Sequence, residues 1–396
     1  MTMFSHDAPR SSARTARTRA PRPDNAPESN PAPGMTPLAA LPDQRQLWIA
    51  NASNPIPFAD AAEKVLEERE KDGIRADVIA DLRAWGFGSS DGKTMQVIQT
   101  AGLDFGGTPE PIALRKRAFG QLCDRVDVPR DYIARLPAKL QIVNMNYAMS
   151  RAPKEGPALL RRAGGDLRAI VSDRYAAFDD DVLLQIVDDV LKKSGYRDDA
   201  LVRASAIGPE MILRLTIPHE GVQVRQGDVI EWGIDLGNSE LGMRSVQVTP
   251  MSYRLVCLNG MRNAEAGWKY RHVGDTDKIR QDLEVAIPAA FAEARGDIGK
   301  WQRSVDAMID DAMADLEGLR SFGITAGEQR AIGRTLLDLP EEMPAEEVTT
   351  KLRHHRTTVY DLTNAMTATA RDRSDVTSRL SLEETAHRYL ERKVGA

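Results

Sequence analysis

Apolar and polar positions along this chain follow two periods. Asp60–Lys71 sets Ala61, Val65 and Leu66 against Glu63, Lys64, Glu67 and Glu68, which predicts a helix. Arg75–Trp85 reads as a second helix. Arg115–Val126 reads as a third, with Phe119, Leu122 and Cys123 on one face. Pro129 suits the first turn of the next helix, where no N–H donor is needed. That helix runs Arg130–Leu136, is interrupted by Pro137, and resumes to about Met149. Gly86, Gly88, Ser89, Ser90, Asp91 and Gly92 form a turn before a strand at Thr94–Thr100.

From Leu159 the pattern changes. Leu159–Arg162 and Leu167–Val171, joined by Gly164-Gly165, predict a β-hairpin. Asp179–Lys193 is a helix with Val182, Leu183, Ile186, Val187, Val190 and Leu191 apolar. It has Asp at its start, Lys192-Lys193 at its end and Gly195 as stop. Leu201–Ala206 and Met211–Ile217 form a second hairpin around Gly208-Pro209. Asp228–Leu236, Ser245–Val248 and Ser252–Cys257 are further strands, the last ending at Asn259-Gly260.

Beyond Asp275 the helical period returns. Ile298, Trp301, Val305, Met308, Ile309, Met313 and Leu316 form one amphipathic stripe, and Pro288 is expected to break or kink what precedes it. Helices near Thr358–Ala370 and Leu380–Val394 close the chain. The fold class is therefore α+β, with a mainly antiparallel sheet and packed helices in the middle of the chain. The expected parts are a disordered basic tail at 1–46, a mostly helical part at 47–150, the antiparallel core at 151–275 and a helical region at 276–396. The tail is rich in Pro, Ala, Ser and Arg, shows no period, and lacks the apolar surface that would offset ordering entropy.

Charge refines this outline. Apolar residues make up 42% of the 396 positions and charged residues 28%, with a formal net charge of −5, so a uniformly basic nucleic-acid coat is excluded. The distribution is uneven. Within residues 1–23, Arg10, Arg14, Arg17, Arg19 and Arg22 face Asp7 alone. Arg244, Arg254, Arg262, Lys269 and Arg271 face Glu265 alone between 241 and 272, whereas 276–349 is strongly acidic. No apolar run approaches the ~20 residues of a membrane helix, and the tail has no apolar stretch fit for a secretory signal, so a cytoplasmic bacterial protein without a membrane partner is expected. Cys123 and Cys257 are expected to be buried, reduced thiols.

Several chemistries fail on spacing. Asp91-Gly92-Lys93-Thr94 matches the end of a phosphate-binding loop, but the first glycine of that motif falls on Phe87. No paired Cys and no His-Glu-x-x-His is present, so no metal or cofactor is expected, and the histidines read as solvated. Asp179-Asp180-Asp181 is the obvious carboxylate cluster, and its place at a helix start is explained by capping and the helix dipole. Cys257 reads as a core cysteine ending a strand. The positive signal is the interleaving of cations and rings in Tyr253, Arg254, Trp268, Lys269, Tyr270, Arg271 and His272. Cations contact phosphates and rings stack on splayed bases. If extended, Trp268-Lys269-Tyr270-Arg271 puts rings on one face and cations on the other, a pattern that serves a core and a binding surface equally.

Four strings stand in order: Arg168-Ala169-Ile170-Val171-Ser172-Asp173-Arg174-Tyr175, Gly237-Asn238-Ser239-Glu240-Leu241-Gly242, Arg254-Leu255-Val256-Cys257-Leu258-Asn259-Gly260, and Tyr360-Asp361-Leu362-Thr363-Asn364-Ala365-Met366-Thr367. Together they resemble the phage/plasmid-like domain-of-unknown-function 932 family over roughly Gln121 to Tyr389. The resemblance implies a mobile-element context and no catalytic residue. Physically, Asn238 and Gly242 suit a tight turn, and Asn259-Gly260 a corner with positive φ.

Three functions follow as expectations. The first is nucleic-acid binding, DNA (single-stranded included) or RNA, in replication or recombination. Its candidate residues are Arg244, Arg254, Lys269, Arg271, Tyr253 and Trp268. The second is an enzyme with a composite site at Asp173, Arg174, Asn238, Glu240 and Cys257. The third is a host-interaction or counter-defence protein using the acidic region 276–349 as its partner surface.

Overall fold

The structure, a computed structural model, describes residues 47–50, 53–82, 85–93, 95–100, 111–151 and 157–395. The arginines of the tail and His6 lie outside the described residues. In chain order, β1 (Leu47–Ala50) and β2 (Ile56–Pro57) lead into α1 (Phe58–Asp72). Strands β3 (Ile74–Asp81), β4 (Trp85–Gly88), β5 (Gln96–Thr100) and β6 (Ile112–Leu114) follow. Helices α2 (Lys116–Arg125), α3 (Arg130–Ala134) and α4 (Ala138–Arg151) then precede the hairpin β7 (Pro157–Ala163) and β8 (Asp166–Ser172). Helix α5 (Asp180–Ser194) opens the middle region of β9 (Leu201–Ile207), β10 (Met211–Thr216), β11 (Val222–Arg225), β12 (Asp228–Asn238), β13 (Val246–Arg254), β14 (Asn259–Arg262) and β15 (Trp268–Tyr270). The last third holds α6 (Thr276–Gly296), α7 (Ile298–Asp306), β16 (Met308–Ile309), α8 (Ala312–Gly318), α9 (Ala326–Leu337), α10 (Ala345–Leu352), β17 (Thr357–Thr358), α11 (Val359–Arg371) and α12 (Val376–Val394).

Two sheets organise the molecule. The first has the order β3-β7-β8-β6-β5-β4 and the second β1-β9-β10-β12-β13-β14, with β2 on β9, β11 on β12 and β15 on β13. Every pairing in them is antiparallel except β6 with β8. The α+β class with a mainly antiparallel sheet is thus the observed one. Helices α2 and α4 bury Phe119, Leu122, Cys123 and Met145 against Leu160 and Ile170 of the first sheet. Helices α5 and α6 bury Leu183, Val187, Leu283 and Ile287 with Leu213, Leu215, Trp232, Ile234 and Leu236 of the second. The two hairpins expected around Gly164-Gly165 and Gly208-Pro209 are both present. Gly195 ends α5 in the left-handed conformation (φ 74°), where a side chain would be strained.

Four local expectations differ from the structure. Arg75–Trp85 is not helical. Its apolar residues at 74, 78 and 79 mimic a helical spacing, but Val78 and Ile79 pair with Leu160 and Leu159, and β-branched residues accept strand geometry when a partner strand is supplied. The part 47–150 therefore holds β1–β6 as well as four helices. Pro288 lies inside α6, which runs on to Gly296, so the proline does not end the helix; it sits on the exposed face. The stripe from Ile298 to Leu316 is two helices split by Met308–Ile309, which pair with Thr358 and Thr357. Trp301 and Leu316 are buried in the same core while Met308 is 54% exposed, so the regular spacing hid the break.

The fourth difference concerns Asn259-Gly260. The positive φ belongs to Leu258 (51°), and Asn259 and Gly260 begin β14. Glycine is needed at 260 for another reason: a Cβ there would overlap the Arg214 guanidinium. Cys257 accordingly lies half-buried in the turn at 255–258 and does not end a strand, whereas Cys123 is buried. No helix among the described residues is long and apolar enough to cross a membrane.

Candidate functional site

The four strings meet in two pairs. Arg168 and the turn after β12 form the first, at the seam between the sheets. Glu240 lies 2.5 Å from Arg168 and is also paired with Arg69 of α1. Arg161 of β7 donates to both oxygens of Asp179 (2.6 and 2.8 Å), to the Glu240 carbonyl (3.0 Å) and to Asp77 of β3. Leu241 fits among Leu159, Ala169, Val171 and Tyr175, and Gln121 of α2 donates to its carbonyl at 2.9 Å. The turn thus acts as a plug with an ionic collar. Gly242 adopts φ 70°, as expected of a glycine at such a turn.

Burial sets the electrostatics of the seam. Burial, and then Arg161 and Arg69 nearby, lower the Arg168 guanidinium to about 10, so it stays charged at neutral pH. For Asp179, burial opposes ionisation, but the guanidinium of Arg161 outweighs it and holds the carboxyl below its usual range. Asp180 differs. It is buried, its one side-chain donor is Asn238 at 2.7 Å, and burial lifts its carboxyl to about 6. The seam therefore holds three guanidinia, the ionised Asp179 and one carboxyl, Asp180, lifted to about 6.

Strings three and four form the second pair. Arg254 donates to Asp228 (2.9 Å) and to the Cys257 sulfur (2.8 Å), and the Tyr360 hydroxyl of α11 also bonds Asp228. Asn259 donates to Thr367, and Arg371 to the Cys257 carbonyl. Both amide atoms of Asn364, buried between these contacts on the same helix face, lack a partner among the described residues.

A third network lies on the face of the second sheet opposite α6. Ala204, Arg214, Asp235 and Thr249 stand in register across four strands. Arg214 grips Asp235 through two bonds of 2.8 Å and Glu383 of α12 at 2.6 Å; Arg262 bridges Asp235 and Glu384. Arg203 pairs with Glu231 through two nitrogens. Alternation along β12 explains the split: Trp232, Ile234 and Leu236 enter the apolar core, while Glu231 and Asp235 face the other way.

A family model described as a domain of unknown function (DUF932) matches residues 168–393. The chain belongs to that family. Comparison with curated proteins and with solved structures gave no match. The DUF932 region contains both pairs of strings and the polar layer under α12, while Arg69, Asp77 and Arg161 of the seam precede it.

The residues expected to act together do so only in part. Asn238 and Glu240 are buried in the seam with Asp180, whereas Asp173 and Arg174 sit on an exposed turn and Cys257 on a different one. Of the basic and aromatic candidates, Tyr253 is 1% exposed beneath Arg203, so no base reaches its ring in this structure. Arg254 is committed to Asp228, and Arg244 to Glu210 at 3.1 Å. Trp268 packs on the core beside Tyr270. Lys269 and Arg271 are exposed and have no ion-pair partner among the described residues, the alternation expected of that stretch. The histidines are not uniformly solvated: His272 and His387 are buried.

Two carboxylate sets have the spacing of metal ligands, Asp179-Asp181-Glu240 and Asp297-His387-Glu391. Each already contains a side-chain cation. Arg69 lies within 3.4 Å of Asp179 and Asp181, and Lys300 joins Asp297 (2.7 Å) to Glu391. In the acidic region, Asp297, Asp315 and Glu328 are engaged by His387, Lys393 and Arg373.

An exposed patch of rings and cations lies before the DUF932 region, on α3 and α4. Tyr132 and Tyr147 are 58% and 60% exposed, and Leu140 and Val143 are exposed beside them. Leu140, Val143, Tyr147 and Arg151 share one face of α4 by their three- and four-residue steps. Arg151 lies over the Tyr147 ring at 5.2 Å, and Arg135 and Lys139 are exposed without ion partners among the described residues. The sequence hides this face because α4 mixes polar and apolar residues around its circumference, with Gln141 turned inward and Leu140, Val143 and Tyr147 turned outward.

Proposed function

We propose that this DUF932 protein binds nucleic acid, single strands in preference to duplex, in the replication or recombination of a phage- or plasmid-type element. The observation that carries the reading is the exposed α3–α4 face, where Tyr132 and Tyr147 stand free among Arg130, Arg135, Lys139 and Arg151, with Asp131 as the one acid in 130–151. Exposed rings and cations supply the two terms of single-strand binding, base stacking and phosphate contact. Arg130 remains half-exposed despite its 3.4 Å pair with Asp131. Lys269 on β15 and Arg271 just after it offer further exposed cations. The mobile-element context comes from the resemblance of the four strings to phage/plasmid-like family members.

The test is fluorescence anisotropy with labelled single-stranded and duplex oligonucleotides at rising salt. The expected result is tighter binding of the single strand, with affinity falling linearly in log-log form as salt rises. Absence of binding to either form at low salt defeats the reading.

A further inference from the structure

A cavity of about 120 Å³ opens between β9–β10 and the start of α12. Its charged wall residues are Arg214, Arg373 and Arg379, and no carboxylate lines it. The acids that balance these arginines, Asp235, Glu383 and Glu328, are not among its lining residues. Arg214 is fully engaged by its two carboxylates. Arg379 is not: its Nε bonds Glu383 at 3.1 Å, and both terminal nitrogens have no partner among the described residues. Arg373 uses its terminal nitrogens on Ser378 and Glu328 and keeps Nε. The rest of the wall is largely apolar, with Ile212, Val376 and Leu380.

We infer that this cavity binds a small molecule carrying an oxyanion head, a carboxylate or a phosphate, on a compact apolar body. Guanidinia keep their charge across the physiological range, and their forked donors match both kinds of head group. The volume is somewhat below about 150 Å³, a size that holds one benzene ring, so a compact body enters with part of it left at the open mouth. A cavity lined by guanidinia together with aliphatic side chains discriminates against bare anions and neutral rings alike. The site lies within the DUF932 region and is independent of the α3–α4 face.

Isothermal titration of the full chain with benzoate and with phenyl phosphate tests the inference and separates the two head groups. Benzyl alcohol and inorganic phosphate serve as the half-ligands. Saturable binding of benzoate or phenyl phosphate is expected, with each half-ligand weaker by about tenfold or more. Arg379→Gln should weaken binding by a similar factor. Val376→Trp, which fills the cavity and leaves the ion pairs in place, should abolish it while the circular dichroism spectrum is retained. The inference is overturned if neither anion saturates, if a half-ligand binds as tightly as its parent, or if Val376→Trp binds like wild type.

Discussion

Arg214 and Glu383 are 169 positions apart in the chain and 2.6 Å apart in the structure, both buried, with Asp235 completing the group. This contact ties α12 to the polar face of the second sheet. Burial alone would raise the Asp235 carboxyl, and Arg214 reverses that and holds it below its usual range.

Removing one member should therefore be costly. Glu383→Ala leaves the buried Arg214 and Arg379 undercompensated, and a loss of about 3–5 kcal/mol is expected, read from the urea unfolding midpoint. The double variant Arg214→Met, Glu383→Leu should recover part of that loss, because it removes charge from both sides of the contact. Equal stability of Glu383→Ala and wild type would show that the contact contributes little.

Two glycines on this face should respond differently to alanine. At Gly260 the new Cβ meets the Arg214 side chain, which can shift, so a cost of about 1–3 kcal/mol is expected. At Gly233 it meets the Leu215 backbone carbonyl, which is fixed by the β10–β12 ladder. Gly233→Ala should be the more damaging of the two by thermal unfolding. The reverse order would contradict this packing.

Asp180 should give stability an unusual pH dependence. Its carboxyl is lifted by burial from 3.8 to about 6, so the folded state holds a proton that the unfolded chain has released. Between about pH 4 and pH 6 this group therefore lowers stability as pH rises, by about 3 kcal/mol in all. Asp179 and Asp235 act in the opposite sense: their depressed carboxyls contribute stability above the usual carboxylate range and lose it in acid. Asp180→Asn should match wild type near pH 4 and exceed it by about 3 kcal/mol near pH 7. A stability difference independent of pH would rule this out.

On the α3–α4 face, Tyr147→Ala should weaken single-strand binding by about 1–3 kcal/mol per lost stacking contact, with unfolding unchanged. Lys139→Gln should instead reduce the salt dependence of binding. Lys269→Gln with Arg271→Gln is the companion measurement, and it reports whether β15 shares the interface. Tyr147→Ala binding like wild type would remove this face from the interface.

The helices at α1, α2, α5, α11 and α12 and the two glycine hairpins were legible in the sequence, because each carries its own period and stop signals. The four family strings were legible too, but not their pairing. Glu240 reads as one acid in a turn until Arg69, Arg161 and Arg168 arrive from three other elements. Tyr253 and Tyr132 show the same limit from the other side. Residues near Tyr253 alternate cations and rings, yet it is buried; Tyr132 lies in a short helix that the sequence predicts without marking its outward face, yet it is exposed.

The sequence by itself determined the local elements, the antiparallel α+β class and the exclusion of a phosphate-binding loop, since these depend on spacing within a few residues. Tertiary structure decided which arginines are spent on carboxylates and which remain free. Charge pairing depends on distances across strands and helices, and those are set by sheet register. Arg254 and Arg214 were consumed in that way, while Arg379 kept two donors at a cavity and Lys139 its charge in water.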